Sequence, residues 1–290
     1  MGMVTTVGLV LHPRRDSKQA IDTIIEWARA RGCTVLGLPD EVGRIDCSAV
    51  AVEPSALVGR ADLLVSLGGD GTMLRTMRLI AGRATPVLGV NVGKLGFLAE
   101  IDVEELKTAL SAIDEHRYSV EPRMAVRAEL GCPEGPGRAL AFNDIALVRT
   151  PGEGLAAVAV SVQGHPFVRY AADAVIVATS TGSTAYSYSA GGPIVSPIVE
   201  GFLVVPAAAH STFNRALMLS ADESVRLDVL PSSGRLAVEV DGAVAGYVSP
   251  GDAVTVTAWR DAARVVRFGG TTFYERARRK LRVNGSAEVE

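Results

Sequence analysis

Through the first hundred residues, short branched apolar runs alternate with amphipathic stretches of helical length. Val7-Gly8-Leu9-Val10-Leu11, Thr34 to Leu38, Asp62-Leu63-Leu64-Val65-Ser66-Leu67 and Pro86 to Val90 are the apolar runs. This rhythm predicts parallel strands joined by crossover helices. After the first strand, Ala20, Ile21, Ile24, Ile25 and Ala28 fall on one helical face, with Asp16 or Ser17 as the cap and Gly32 as the stop. Leu74 to Ala81, and Val103 to Ile113 behind Asp102, read as further helices. From about Glu121 the pattern shortens to strands separated by turns: Met124 to Leu130, Ala139 to Leu147, Ala157 to Val162, Phe167 to Tyr170, Ala174 to Ala178, Val225 to Leu230, Arg235 to Val240 and Ala253 to Trp259. Gly152-Glu153-Gly154, Gly164-His165-Pro166 and Pro231-Ser232-Ser233-Gly234 supply turns between them. Tyr274 to Leu281 returns to helical composition. The expected architecture is an α/β domain over residues 1–121, a mostly β domain over 122–268, and a last segment, 269–290, that returns to the first domain.

Charge narrows the partners. Across 290 residues, 29 Lys plus Arg stand against 32 Asp plus Glu, a net charge of −3, so binding to nucleic acid through phosphate contacts is not expected. The one dense basic run, Arg276 to Arg282, is open to a phosphate contact, but a solvated helix face or an inter-subunit contact is the commoner use of such charge. Cys33, Cys47 and Cys132 form no CxxC pair and no histidine shows ligand spacing, so neither disulfides nor a resident metal site is expected and a reducing, cytoplasmic setting fits. No apolar stretch approaches the roughly 18 residues that cross a bilayer.

Two segments carry chemistry. Gly68-Gly69-Asp70-Gly71-Thr72 follows an apolar strand and precedes a helix, the position where open parallel sheets bind ligands. Its glycines let backbone N–H groups approach anionic oxygens, so phosphate is the natural ligand. A carboxylate in the middle of such a turn is costly beside phosphate unless it bonds a hydroxyl or a metal ion, which marks Asp70 as the chemical group; the plain alternative is a helix cap worth about 1 kcal/mol. The turn is neither a Walker loop nor a GxGxxG fingerprint. Gly89 to Leu98, also glycine-rich and after a strand, is placed to line the same crevice. The second segment runs from Thr179 to Pro193 and holds nine hydroxyl-bearing side chains between Thr179 and Ser189. Uncharged, with Tyr186 as an aromatic face, it suits a sugar and a base; the plain alternative is a serine-rich loop that caps itself.

The ordered set GGDGT, NVGKLGFL, Asn143-Asp144, TGSTAYSYSAGGPI and FYERARRKLR resembles the NAD kinases, which phosphorylate the 2′-hydroxyl of the adenosine ribose of NAD. The similarity runs from the first strand to about Arg282. It implies a Rossmann-like α/β N-terminal domain, a sandwich-like β C-terminal domain and a site in the crevice between them. It further implies Asp70 as the catalytic aspartate acting on the ribose hydroxyl and Gly71 against the nucleotide. Phe97 would line the cleft, Asn143 and Asp144 would contact adenosine, and Asp173 would lie near the nicotinamide end. Thr181, Thr184, Ala185, Tyr186 and Ser189 would surround the adenine and the nicotinamide riboside. NAD with ATP or polyphosphate as substrates, Mg²⁺ with the donor, and a homodimer or homotetramer follow from the same resemblance. Lys94 or Arg75 would offset donor charge, although a solvated position is the commoner one for either.

This chain departs from the family pattern at four places around the dinucleotide pocket. Asp144 replaces Glu and reaches one methylene less far, and Ser180 replaces Pro, which is expected to loosen the turn. Ala172-Asp173-Ala174 replaces Gly-Asp-Gly and adds two methyl groups, and Ala207-Ala208-Ala209-His210 lacks the usual proline. Two alternatives share part of these features: a lipid kinase, which has the glycine turn but needs an acyl pocket, and a non-catalytic NAD sensor.

Overall fold

The computed structural model describes residues 4–45, 47–93, 96–131, 137–270 and 272–283. It divides into two units, one formed by residues 1–122 with 263–290, the other by 123–262.

The first unit contains β1 (Thr6–Leu11), α1 (Lys18–Arg29), β2 (Thr34–Gly37), α2 (Pro39–Ile45), β3 (Val50–Ala51), α3 (Pro54–Arg60), β4 (Leu63–Gly68), α4 (Asp70–Leu79), β5 (Pro86–Asn91), β6 (Ile101–Asp102) and α5 (Leu106–Asp114). Its strands pair in parallel in the order β3-β2-β1-β4-β5, with β6 also on β5. Strands β4 and β5 are buried along their whole length, as befits strands covered on both faces, which is why they read as unbroken apolar runs. Helix α1 buries Ala20, Ile21, Ile24, Trp27 and Ala28; Ser17 is its N-cap without a side-chain bond, while Asp16 accepts from the Lys18 N–H at 2.8 Å. Helices α2 and α3 open on Pro39 and Pro54, prolines at a first turn where the missing N–H is not needed.

The second unit takes in most of β7 (Ser119–Leu130), followed by β8 (Arg138–Ala141), β9 (Asp144–Arg149), β10 (Ala156–Val162), β11 (His165–Ala172), β12 (Ala174–Thr179), α6 (Tyr186–Ser189), β13 (Gly201–Ala207), β14 (Leu217–Ser220), β15 (Ser224–Val229), β16 (Leu236–Val240), β17 (Ala243–Val248) and most of β18 (Ala253–Arg267). One antiparallel sheet has the order β14-β13-β12-β9-β16-β17; a second joins β11, β10, β15 and β18. Val175 and Val177 belong to the large core shared with Val158, Leu227 and Val256, while Ala174, Ile176 and Ala178 face a smaller cluster covered by Tyr186, Ala190 and Val195. The period of two along β12 thus serves two buried faces. The stretch Ala139 to Leu147 is not one strand: Phe142 and Asn143 break it into β8 and β9, which lie in different sheets.

The last residues of β18 pair in parallel with β5, Arg264 opposite Pro86 and Val265 opposite Val87, and lead to α7 (Phe273–Leu281). Thr272 and Glu275 form a capping box at its start. Among the described residues no helix is long and apolar enough to cross a membrane. Cys33 and Cys47 are free thiols; Cys132 and the tail 284–290 lie outside the described residues.

Candidate active site

In the first unit the glycine turn joins β4 to α4, and its conformation is enforced by packing. A Cβ on Gly68 would lie 2.2 Å from Thr72 Oγ1, so only glycine fits there. Gly69 is the N-cap of α4 and Asp70 the first helical residue. Asp70 is therefore not the cap of its own helix. Its Oδ2 accepts from the Phe97 N–H at 3.0 Å and its Oδ1 from the Leu98 N–H at 3.0 Å, while Lys280 Nζ stands 3.0 Å from Oδ2. A Cβ on Gly96 would fall 2.1 Å from Asp70 Oδ1, so this glycine is what lets the loop close on the carboxylate. Phe97 lies under the same ammonium, whose nitrogen is 4.4 Å from the ring centroid. Gly71 has open space where a Cβ would stand.

Two cations stand at this turn that the sequence does not place there. Arg15, in the loop after β1, donates from Nη1 to the Val92 carbonyl at 2.6 Å, and that nitrogen lies 3.9 Å from where a Cβ on Gly69 would stand. The Arg14-Arg15 pair at the carboxyl end of a first parallel strand was the available signal. Lys280 belongs to the basic run expected to be a solvated face. That expectation fails for two of its members: Arg276 is buried, donating to the Ala99 carbonyl and to Glu100 Oε2 at 2.6 Å, and Lys280 meets Asp70. The expectation for Arg75 also changes, since its guanidinium pairs with Glu41 and donates to the Leu11 carbonyl at 2.7 Å. Lys94 lies outside the described residues.

In the second unit, Phe142-Asn143-Asp144 form a tight turn gripped from two sides. Asp241 accepts from the backbone N–H groups of Asn143 at 2.7 Å and of Phe142 and Asp144 at 3.4 Å. Asp241 and Gly242, with φ of 48° and 79°, make the two-residue turn between β16 and β17. On the other side, Thr179 N–H donates to the Asn143 carbonyl at 2.8 Å and Thr179 Oγ1 to the Phe142 carbonyl at 2.5 Å. Asp144 is buried, and its carboxyl is pushed up to about 7, first by burial and then by the charges of Asp241 and Glu239, against which the Tyr186 N–H works. Burial, followed by Glu239, Asp173 and Asp144, also raises the Tyr186 hydroxyl.

The hydroxyl-rich segment is a 3-10 turn, Thr181–Thr184, followed by α6. Four of the nine hydroxyls donate to backbone carbonyls: Thr179 to Phe142, Ser180 to Pro197 at 3.4 Å, Ser183 to Val195 at 3.2 Å and Thr184 to Thr181 at 3.5 Å. Thr181 Oγ1 and Ser187 Oγ are buried without a partner. Ala185 and Tyr186 are half-buried, and Ser189 is exposed. Ser180 has φ of −56°, within the range a proline would impose, so its backbone keeps the conformation that the usual proline would favour. The methyl groups of Ala172 and Ala174 are fully buried in the β framework, that of Ala174 in the cluster against which Tyr186 packs. Asp173 stands at the opposite end of β12 from Thr179, paired with Arg149 at 2.5 Å.

The buried acid makes a pH prediction. Asp144 has its ordinary value near 3.8 when unfolded and about 7 when folded. The folded state therefore holds an extra proton between these values, and stability falls as pH rises through that window and levels off above it. Asp144→Asn is expected to remove this slope, being more stable than wild type at pH 8 by on the order of 2–4 kcal/mol and level with it near pH 4. Thermal melts at the two pH values check it; equal offsets at both would refute it.

Residues 7–118 match the family model of the ATP-NAD kinase N-terminal domain and residues 142–268 that of the ATP-NAD kinase C-terminal domain. The chain is 38% identical to NAD kinase 1 of Streptomyces avermitilis, over 96% of its own length and 87% of the relative's. It is 35% identical to the NAD kinase of Moorella thermoacetica, over 97% and 91%. Among solved structures, yeast NADH kinase complexed with NADH superposes with a TM-score of 0.87 at 27% identity, over 99% of this chain and 90% of that one. An NAD kinase from Archaeoglobus fulgidus in complex with ATP gives 0.74 at 25%, over 97% and 100%. With both family domains matched in order, and relatives above 30% identity along nearly the whole length, the chain belongs to the NAD kinase family.

Proposed function

We propose that this chain transfers the γ-phosphoryl group of ATP to the 2′-hydroxyl of the adenosine ribose of NAD, giving NADP. One observation carries the assignment: the carboxylate of Asp70 sits at the start of a helix that follows a glycine turn, and it is oriented by the Phe97 and Leu98 N–H groups instead of capping its own helix. An ionised carboxylate offers roughly four acceptor positions. Two backbone N–H groups and Lys280 occupy three, leaving about one, on Oδ1, for a substrate hydroxyl. Asp70 thus acts first as an orienting acceptor. A carboxylate is a weak base toward a hydroxyl, so proton transfer follows oxygen–phosphorus bond formation. Positioning and charge neutralisation then supply most of the rate. The turn's glycines and the N-terminus of α4 receive phosphate oxygens, and Arg15 adds a fixed cation beside them.

In the same proposal Gly71 lies against the nucleotide and Phe97 lines its binding surface. Asn143 and Asp144 contact adenosine, while Thr181, Thr184, Ala185, Tyr186 and Ser189 surround the base and the nicotinamide riboside, with Asp173 toward the nicotinamide end. Among the described residues no group of three or more His, Cys, Asp or Glu is gathered to hold a metal ion. In this proposal Mg²⁺ enters as part of Mg-ATP, carried on the phosphates. A cytoplasmic homodimer or homotetramer completes the proposal. Neither the lipid-kinase nor the sensor alternative finds support among the relatives.

The test is a coupled assay that crosses NAD and NADH with ATP and polyphosphate, with Mg²⁺ omitted as a control and diacylglycerol as a competing acceptor. NADP or NADPH formation that depends on the divalent ion is the expected result. NAD binding without product, or phosphorylation of the lipid alone, would overturn the proposal.

A further inference from the structure

We propose that Lys280 is a further catalytic residue of this phosphoryl transfer, the ammonium that meets the transferring group beside the hydroxyl held by Asp70. The inference deepens the kinase proposal and rests on it. Helix α7 is anchored by Arg276, which is buried and bonded to the Ala99 carbonyl and to Glu100; Glu100 also receives Arg267 at 2.7 Å and the Phe268 N–H at 2.9 Å. Residues four apart share a helix face, so fixing Arg276 delivers Lys280 one turn later to the glycine turn. There its nitrogen is 3.0 Å from Asp70 Oδ2 and 4.4 Å from the centroid of Phe97, with about a third of the side chain exposed.

A bare carboxylate would repel the polyanionic donor whose terminal phosphorus must approach it. The pair Asp70–Lys280 removes that repulsion, because carboxylate and ammonium together are neutral. An ammonium has three donors. One goes to Asp70, and the others are left for oxygens of the phosphoryl group in flight, where negative charge is spread over the equatorial oxygens. The hydroxyl oxygen forms a bond to the γ-phosphorus, the bond from that phosphorus to the bridging oxygen breaks, and ADP leaves. The hydroxyl proton passes to Asp70 and then to solvent. Lys280 keeps its protons throughout and contributes charge only. A tether that merely docks α7 would show the same ion pair, so the experiment must separate the two roles.

The full-length chain is assayed for NADP formation under Mg-ATP as wild type, Lys280→Gln, Lys280→Arg and Lys280→Ala, the last with and without propylamine, beside thermal melts. Removal of a charge-stabilising donor is expected to lower kcat by about 10²–10³-fold in Lys280→Gln. The KM for NAD and the melting temperature should stay near wild type, Lys280→Arg should recover part of the loss, and propylamine should restore turnover to Lys280→Ala. Wild-type turnover that Lys280→Gln retains would overturn the inference alone. So would a loss that follows the melting temperature and responds to neither arginine nor the amine. Failure of the wild type to make NADP would overturn the kinase proposal and this inference with it.

Discussion

Asp70→Asn is expected to lower NADP formation by about 10²–10⁴-fold, the range typical of removing a positioned acid–base group, while the chain stays folded. The substitution keeps the shape of the side chain and changes the chemistry of one end. An amide has a single acceptor oxygen, whereas the native carboxylate faces three donors: the N–H groups of Phe97 and Leu98 and the Lys280 ammonium. One backbone N–H must then face the amide NH₂, and the acceptor position proposed for the ribose hydroxyl is lost. Leaving a donor unsatisfied costs about 1–3 kcal/mol, enough to lower the melting temperature without unfolding the unit. Steady-state kinetics beside a thermal melt separates the two effects. Near-normal turnover in a folded Asp70→Asn would remove Asp70 from the chemistry.

What the sequence disclosed about this site follows the range over which its contacts act. The glycine turn was legible because its signals are local: an apolar strand, three glycines and a helix within about fifteen residues. The helix began at Asp70, four residues before the predicted start, because the apolar pattern marks packed positions and not the first turn. Lys280 could not be read as a partner of Asp70, since 210 residues separate them and only the docking of α7 through Arg276 unites them. The hydroxyl-rich segment was recognised by composition, but composition does not say where a hydroxyl points. Ser180 and Ser183 bond the carbonyls of Pro197 and Val195, beyond the end of the segment, while Thr184 bonds that of Thr181 within it. Asp241-Gly242, an Asp-Gly pair between two strand-like runs, did carry a strong hairpin signal, and its second role, receiving the N–H groups of residues 142–144, is tertiary. Strand β13 lies between β12 and β14 although it contains Pro206, a residue that argues against a central strand; its pairing with β14 ends at Val204, before the proline.

The largest structural effect is expected at Gly182, which the sequence did not single out. An ideal Cβ there would lie 2.0 Å from the Asn143 carbonyl oxygen, 2.4 Å from its carbon and 2.6 Å from Cα. These are backbone atoms, already fixed by the Thr179 N–H and by Asp241, so no rotamer change relieves the clash. Gly182→Ala must push the 142–144 turn away from the end of β12, breaking bonds on one side or the other. A cost at or above the upper end of the usual 1–3 kcal/mol for overpacking is expected, together with a loss of NAD affinity if Asn143 and Asp144 hold adenosine as proposed. Gly71→Ala is the informative contrast. A Cβ on Gly71 meets nothing within 4 Å, so this variant should melt like wild type, and any loss of nucleotide binding or turnover would come from the methyl group meeting the ligand itself. Thermal melts and NAD titrations of the two variants therefore separate a glycine that the fold requires from one that the nucleotide requires. A Gly182→Ala chain as stable as wild type would refute the packing argument, and a fully active Gly71→Ala would refute the close approach of nucleotide at the turn.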